Sequence, residues 1–174
     1  MLFGLVGSEM CIRDSYKPFK NKLMNWFIGK SRSKTTDKVI VYPRNKNSLK
    51  SIIKKMKEPC VLYLLADEDI SVDDSIFIDF FDTQKATLKS ISKLAKLTNS
   101  KVLTCMCTYD LETNNFFFKV FPQLDNFPSN NMIEDCLKIN ACLQQQILFD
   151  ISQHMWTLRI YKHRPDGSDI YKIQ

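Results

Sequence analysis

The sequence has little glycine and little histidine, and several common functional signatures are absent from it. Only 4 of the 174 residues are Gly and only 2 are His. No G-x-S-x-G, P-loop or G-x-G-x-x-G pattern occurs, so the corresponding hydrolase and nucleotide-binding signatures are missing. The 6 cysteines contain no C-x-x-C pair, which argues against a zinc site. No run of 18 apolar residues occurs, so the sequence predicts no membrane-spanning helix.

What is present is the composition of a globular domain with a basic balance. Hydrophobic residues make up 44% of the chain and charged residues 25%, which excludes collagen-like, mucin-like and mostly disordered classes. The 25 Lys and Arg outnumber the 19 Asp and Glu, giving a net charge of +6 and a pI of about 9.0. A basic balance favours an anionic partner: nucleic acid, a phosphorylated substrate or a membrane surface.

The sequence of the first fifteen residues predicts that they do not belong to the natural protein. Residues 5–15, LVGSEMCIRDS, resemble the in-frame translation of a transposon-type sequencing adapter. The resemblance predicts that 1–15 is a non-native, adapter-derived segment, and we exclude it from fold reasoning. Residue 16 is then expected to be an interior position of a longer protein cut by metagenomic library fragmentation, and 16–174 to be part of a single domain.

Hydrophobic periodicity in the remaining chain predicts alternating strands and helices. Helices are predicted over 20–29, 48–57, 86–98 and 130–149, and strands over 60–66, 75–81, 101–109 and 115–121. Gly29 is expected to end the first helix, and the last two strands to form a hairpin. The longest helix has Ile133, Leu137 and Leu148 on one face, and the tail 161–174 is expected to be extended. The order predicts an α/β fold with a mixed sheet flanked by helices.

An acidic triplet follows the most apolar of these strands. Asp67, Glu68 and Asp69 come directly after 60–66, and ligands of open α/β sheets bind at that edge. If the strand alternation continues, Asp67 and Asp69 point the same way. The triplet is therefore either active-site support or metal ligation, or it is a solvated acidic turn.

Cations are candidates for contact with phosphate. The closing segment alternates cations with aromatic residues and contains Arg159, Lys162 and Arg164. Arg32 and Arg44 lie in the basic N-terminal third. These side chains suit phosphate binding, although either region could be an ordinary charged surface. The same mixture suits single-stranded nucleic acid, but no RNA-binding or zinc-finger signature accompanies it.

Three blocks of the sequence resemble a known family. They are Tyr16-Lys17-Pro18; Leu65-Ala66-Asp67-Glu68-Asp69 with Ser75-Ile76-Phe77-Ile78-Asp79-Phe80-Phe81; and Gln153-His154-Met155-Trp156 with Arg159, Lys162, Arg164 and Pro165. They resemble the Y-[RK]-P, D-x-D…S-V-F-V-P-F-F and closing Q-Y-x-W-x-x-R-x-[FY]-K-x-R-P blocks of the late acyltransferases of lipid A biosynthesis, within the lysophospholipid acyltransferase superfamily. The likeness covers essentially all of 16–174. Asp79 stands in place of the usual Pro, and Ser71 in place of the usual Gly.

The resemblance implies a reaction and a division of roles. Members move a fatty acyl chain from acyl carrier protein to a hydroxyl of a lipid A precursor, using the His of an H-x-x-x-x-[DE] motif as general base. Neither histidine fits that motif, because Arg159 lies five residues after His154 and Ser168 five residues after His163. The catalytic pair is therefore expected upstream, and this chain alone is expected to be inactive.

The resemblance also implies partners. Asp67 and Asp69 would support the active site, with Arg32 or Arg44 expected to pair with Asp67. The acyl donor would be acyl carrier protein, the acceptor a lipid A precursor, and the location the cytoplasmic face of the inner membrane, with no cofactor, metal or nucleic acid. Two alternatives remain: a glycerophospholipid or ornithine-lipid acyltransferase, and a basic nucleic-acid-binding domain without catalysis.

Overall fold

The structure, a computed structural model, describes residues 11–16, 18–33, 39–43 and 46–172. The chain divides into two compact units, Met1–Leu64 and Leu65–Gln174. Within the described residues, no helix is both long enough and apolar enough to cross a membrane.

The first unit contains a small parallel sheet. Its elements are β1 (Cys11–Tyr16), α1 (Lys22–Ser33), β2 (Val39–Pro43), α2 (Lys46–Lys55) and β3 (Cys60–Leu62). β1 is the central strand and pairs in parallel with both β2 and β3. This strand falls in the segment from which sequence reasoning predicted no element, and its Arg13 is buried and donates from Nη1 to the Tyr42 hydroxyl at 3.1 Å. The adapter origin of 1–15 stays a prediction.

Two predicted features of this unit are wrong in detail. Gly29 lies inside α1 and does not end it. The apolar run 60–66 forms a strand only at Cys60–Leu62, and Val61, Tyr63 and Leu65 are each about 40% exposed. Among the described strands β3 pairs only with β1, so it is an edge strand and not the buried strand that a continuous apolar run favours.

The second unit combines two hairpins with two helices. Its elements are β4 (Ser75–Phe80), β5 (Thr83–Leu88), α3 (Ser90–Thr98), β6 (Leu103–Asp110), β7 (Asn115–Gln123) and α4 (Met132–Phe149), followed by a 3₁₀ turn at Ile151–Gln153. β4 pairs antiparallel with β5, and β6 with β7, which confirms the predicted hairpin. The α/β class is confirmed, with parallel and antiparallel pairs distributed over three small sheets of the described residues.

The helix predicted from residue 86 begins later, because 83–88 is a strand. Phe81 adopts a left-handed φ of 52°, and the chain reverses there between β4 and β5. The apolar residues Ala86 and Leu88 are both buried. Leu88 fitted the helical spacing of Ile91 and Leu94, so periodicity merged a strand with the helix that follows it.

The buried face of α4 is not the one that its large apolar side chains mark. Ile133, Leu137 and Leu148 are exposed, whereas the buried positions are Asp135, Cys136, Ile139, Asn140 and Ile147. Ile147 packs with Phe80 and Ile160, while Ile139 packs with Ala95 and Phe127. The helix begins where Asn131 accepts a hydrogen bond from the Ile133 amide at 3.0 Å.

Polar groups on this buried face are satisfied by specific partners. Asn140 accepts from the Thr87 hydroxyl at 3.0 Å and donates to the Asp79 carbonyl at 3.0 Å, joining α4 to the β4–β5 hairpin. Asp135 accepts from the Ser92 hydroxyl and from the Ser129 amide. These bonds offset the cost of burying an amide and a carboxylate, so the helix can turn a polar face inward.

Candidate functional site

The acidic triplet and the closing segment meet through Asp69 and His163. The Asp69 carboxylate is fully buried and accepts from the His163 backbone N–H at 2.7 Å. Its second oxygen lies 2.5 Å from Nδ1 of the same histidine, whose side chain is 29% exposed. One carboxylate therefore fixes both the backbone and the ring of a residue 94 positions away. A carboxylate on Nδ1 sets the orientation of an imidazole.

The closing segment folds back on the β4–β5 hairpin, so the expectation of an extended tail is wrong. Tyr161 donates from its hydroxyl to the Phe80 carbonyl at 2.9 Å, and Arg164 Nη2 donates to the Thr83 hydroxyl at 3.4 Å. Ile160 is buried in the core with Phe80. Burial is the largest influence on the phenol of Tyr161 and raises its pKa. Apolar packing and hydrogen bonds together hold the segment on the hairpin.

A buried lysine lies beside the acidic triplet. Lys85 on β5 is fully buried, and its Nζ has no hydrogen-bond partner within the described residues. Its ammonium lies 5.8 Å from the centre of the Phe80 ring. Burial lowers the pKa of Lys85, and the negative charges of Asp67 and Asp69 oppose that shift. Both carboxylates of the D-x-D block therefore act on one buried cation.

Asp67 itself lies half-buried in the loop after β3, five residues beyond the end of that strand. The alternation used to align it with Asp69 does not apply there, although both carboxylates influence Lys85. Arg44 and the side chain of Arg32 lie outside the described residues. The predicted pairing of Asp67 with either arginine therefore stays a prediction.

The predicted cations of the closing segment differ in accessibility. Arg159 and Lys162 are exposed, and the Arg159 guanidinium lies 5.7 Å from the centre of the Tyr171 ring. Arg164 is half-buried, and its Nε lies 3.9 Å from Asp166. Arg159 and Lys162 can therefore meet an anion in solution, whereas Arg164 also contributes to the docking of the segment.

Gln153 and Trp156 have structural partners of their own. The Gln153 side-chain amide donates to the Tyr109 carbonyl at 3.0 Å and accepts from the Tyr109 amide at 3.3 Å. The Trp156 indole donates to the Ile151 carbonyl at 2.8 Å and packs edge-on against His154. The start of the closing block is thus bound to the end of β6.

Sequence reasoning missed two site residues, His163 and Lys85. His163 was set aside because no acidic residue follows at the required spacing, yet its acidic partner comes from far upstream. Lys85 carries no sequence signal, since lysine is rarely buried without a partner. Together these groups form an oriented imidazole and a buried cation around a D-x-D loop. No group of three or more His, Cys, Asp or Glu in the described part of the chain could hold a metal.

The second unit is an α/β unit whose D-x-D loop contacts a basic closing segment. Comparison with known proteins points to the family that these two blocks resemble. A family model described as bacterial lipid A biosynthesis acyltransferase matches residues 6–163. The chain belongs to that family. The match begins inside the segment 1–15.

Curated relatives support the same family. A lipid A biosynthesis acyltransferase of Haemophilus influenzae is 27% identical over 162 residues, covering 93% of this chain and 49% of that protein. The lipid A biosynthesis palmitoleoyltransferase of Escherichia coli is 23% identical, covering 90% and 50%. The myristoyltransferase of the same organism is 27% identical, covering 77% and 43%. The chain spans about half the length of the curated relatives it matches.

Proposed function

We propose that this chain is part of an enzyme that transfers a fatty acyl group from acyl carrier protein to a hydroxyl of a lipid A precursor. The observation that carries the proposal is the meeting of the two family blocks: Asp69 of the D-x-D block binds His163 of the closing block. The relatives named above are lipid A acyltransferases. The net charge of +6 suits an acidic donor protein and a phosphorylated acceptor.

The D-x-D loop supports the site in this proposal and does not act as the base. Asp67 holds a cationic side chain of the acceptor site. Lys85 places a buried positive charge beside both carboxylates of that loop. The exposed cations Arg159 and Lys162 bind phosphate of the acceptor.

The general base comes from outside these 174 residues. His163 holds its Nδ1 against Asp69, and neither histidine of the sequence fits H-x-x-x-x-[DE]. We therefore expect the purified chain to show no acyl transfer from acyl carrier protein, since a general base commonly contributes about 10²–10⁴-fold. The acting enzyme would work at the cytoplasmic face of the inner membrane, where the acyl donor is present.

The test joins this chain to the H-x-x-x-x-[DE] half of a matched relative. Radiolabelled acyl transfer to a lipid A precursor is measured for the fusion, for the chain alone and for a fusion carrying Lys85→Met. Activity of the fusion, its loss on Lys85→Met with unchanged folding, and no activity of the chain alone are expected. Transfer by the chain alone would refute the external base. Salt-sensitive oligonucleotide binding without binding of the lipid precursor would favour the nucleic-acid alternative.

A further inference from the structure

Helix α1 is amphipathic in the reverse sense from a helix that packs on a core. Its outward positions carry large apolar side chains: Leu23 is 72% exposed, Trp26 and Phe27 are each 58% exposed, and Met24 is 46% exposed. The partly buried positions are Asn25, Ile28 and Gly29. A water-exposed helix normally shows the opposite distribution. Large exposed apolar patches of this kind mark interaction sites.

The orientation of this helix is fixed by local hydrogen bonds. The Asn21 side chain caps its N-terminus, accepting from the Leu23 amide at 2.9 Å and the Met24 amide at 3.2 Å. Asn25 accepts from the Phe19 amide at 3.1 Å, which holds the incoming chain against the inner face of the helix. The inner face, with Asn25, Ile28 and Gly29, is therefore turned toward the incoming chain, and the large apolar side chains remain outside.

The charged residues of the α1 segment all have one sign. No Asp or Glu occurs from residue 17 to residue 36, whereas Lys20, Lys22 and Lys30 are all exposed there. The Lys30 ammonium lies 5.3 Å from the centre of the Trp26 ring. An aromatic and aliphatic surface with lysines along it complements an anionic lipid surface, because lysine extends its charge to the headgroups while its methylenes lie on apolar groups.

The β6–β7 hairpin gives a contrasting case within the same chain. Phe116 and Phe117 on β7 are 67% and 53% exposed, which is similar to the aromatic residues of α1. The hairpin carries Asp110 and Glu112 at its turn and one lysine, Lys119, on β7. Apolar exposure is thus common to both surfaces, and what distinguishes α1 is that its lysines have no acidic neighbour in the sequence from residue 17 to residue 36.

We propose that α1 lies flat in the interface of an anionic lipid bilayer. Leu23, Met24, Trp26 and Phe27 enter the boundary between headgroups and acyl chains, and Lys20 and Lys22 contact lipid phosphate. A helix of 12 residues is about 18 Å long, too short to span the bilayer but long enough to lie in its surface. The inference goes beyond acyl transfer, and its test contains neither acyl donor nor acceptor, so either proposal can fail without the other.

The experiment uses the whole chain carrying Trp156→Phe, which leaves Trp26 as the sole tryptophan, since the sequence has 2. The protein is mixed with vesicles of phosphatidylglycerol and phosphatidylcholine, or of phosphatidylcholine alone. A blue shift of Trp26 fluorescence with the anionic vesicles is expected, together with co-sedimentation that weakens as salt is raised.

Variants separate the contributions of charge and apolar contact. Lys20→Gln with Lys22→Gln should weaken binding to anionic vesicles by about 30-fold, since each lysine near the surface is worth about 1 kcal/mol. Trp26→Ser with Phe27→Ser should weaken co-sedimentation by about tenfold or more. Phe116→Ser with Phe117→Ser is the matched control, which removes two equally exposed aromatic side chains, and it should leave vesicle binding unchanged.

Three results would overturn the proposal. The first is the absence of binding to anionic vesicles. The second is equal loss of binding in the α1 and β7 aromatic pairs, because the contact would then be nonspecific. The third is a dimer of the chain that dissociates on Trp26→Ser with Phe27→Ser, which would show that a second copy covers this face.

Discussion

The contact between Asp69 and His163 can be tested by removing the carboxylate with Asp69→Ala. The change leaves the His163 amide and ring nitrogen without the acceptor that they share at 2.7 and 2.5 Å, in a fully buried position. A hydrogen bond to a charged group contributes about 1.5–3 kcal/mol, so we expect a loss of about 3 kcal/mol in the free energy of unfolding. For a chain of this size that corresponds to a fall in Tm of about 6–12 °C.

Thermal melting and amide hydrogen exchange measure this effect. The His163 amide should lose protection in Asp69→Ala, whereas Asp69→Asn keeps one carbonyl acceptor and should recover part of it. Asp166→Ala is the matched control, since that carboxylate is 66% exposed, accepts hydrogen bonds from the amide and hydroxyl of Ser168 and lies 3.9 Å from Arg164 Nε. It should lower Tm far less than Asp69→Ala does, because changes at exposed positions have small effects on stability.

The reasoning fails if Asp69→Ala melts no lower than Asp166→Ala, or if exchange at His163 is unchanged. A double-mutant cycle with His163→Ala then isolates the pair. A coupling energy near zero would mean that Ile160 and Tyr161 hold the segment without help from the carboxylate.

Further predictions concern the neighbouring charges. Lys85→Met should raise the free energy of unfolding at neutral pH by about 1 kcal/mol, because burial lowers the pKa of Lys85 and its protonated form destabilises the fold. In urea titrations the difference from wild type should shrink as pH rises through the folded pKa. Burial raises the pKa of Asp135, but hydrogen bonds from Ser92 and Ser129 outweigh it and keep that pKa below its usual value. The ionised carboxylate therefore stabilises the fold above the unfolded pKa, and this stabilisation is lost as pH falls through the folded pKa. Asp135→Asn should destabilise the protein by about 1–3 kcal/mol at pH 7 and by much less in strong acid, as measured by denaturant unfolding. In the fusion enzyme, Asp67→Asn should lower acyl transfer by roughly 10–100-fold and Glu68→Gln only mildly; the reverse order would contradict the assignment of Asp67.

Sequence patterns predicted the elements whose burial follows a simple period. The β6–β7 hairpin was predicted from two apolar runs and a short polar link, and helix α4 from the apolar spacing over 130–149. The buried face of α4 could not be predicted in this way. Asp135 and Asn140 are buried because Ser92 and Thr87 meet them, and those partners lie 43 and 53 residues away.

For the candidate site too, local sequence patterns predicted individual residues but not the contacts between distant ones. Asp67 and Asp69 stood out as an acidic cluster after an apolar run. Their effect on Lys85, and the contact of Asp69 with His163, depend on how the hairpin and the closing segment fold together. The sequence does not indicate that these residues lie close together. Lysine and histidine are both common at ordinary surface positions, so neither Lys85 nor His163 stands out.

The distance of 94 residues between Asp69 and His163 has a consequence for synthesis of the protein. On the ribosome, residues 69 and 85 emerge well before residue 163 is made. The Asp69 carboxylate and the β4–β5 hairpin are therefore exposed until the closing segment is synthesised. A product that stops before residue 160 would leave the Phe80 carbonyl without the Tyr161 hydroxyl and the core without Ile160. A product of this kind is thus expected to be open to proteases at the β4–β5 hairpin, whereas a product that contains residues 160–164 is protected there.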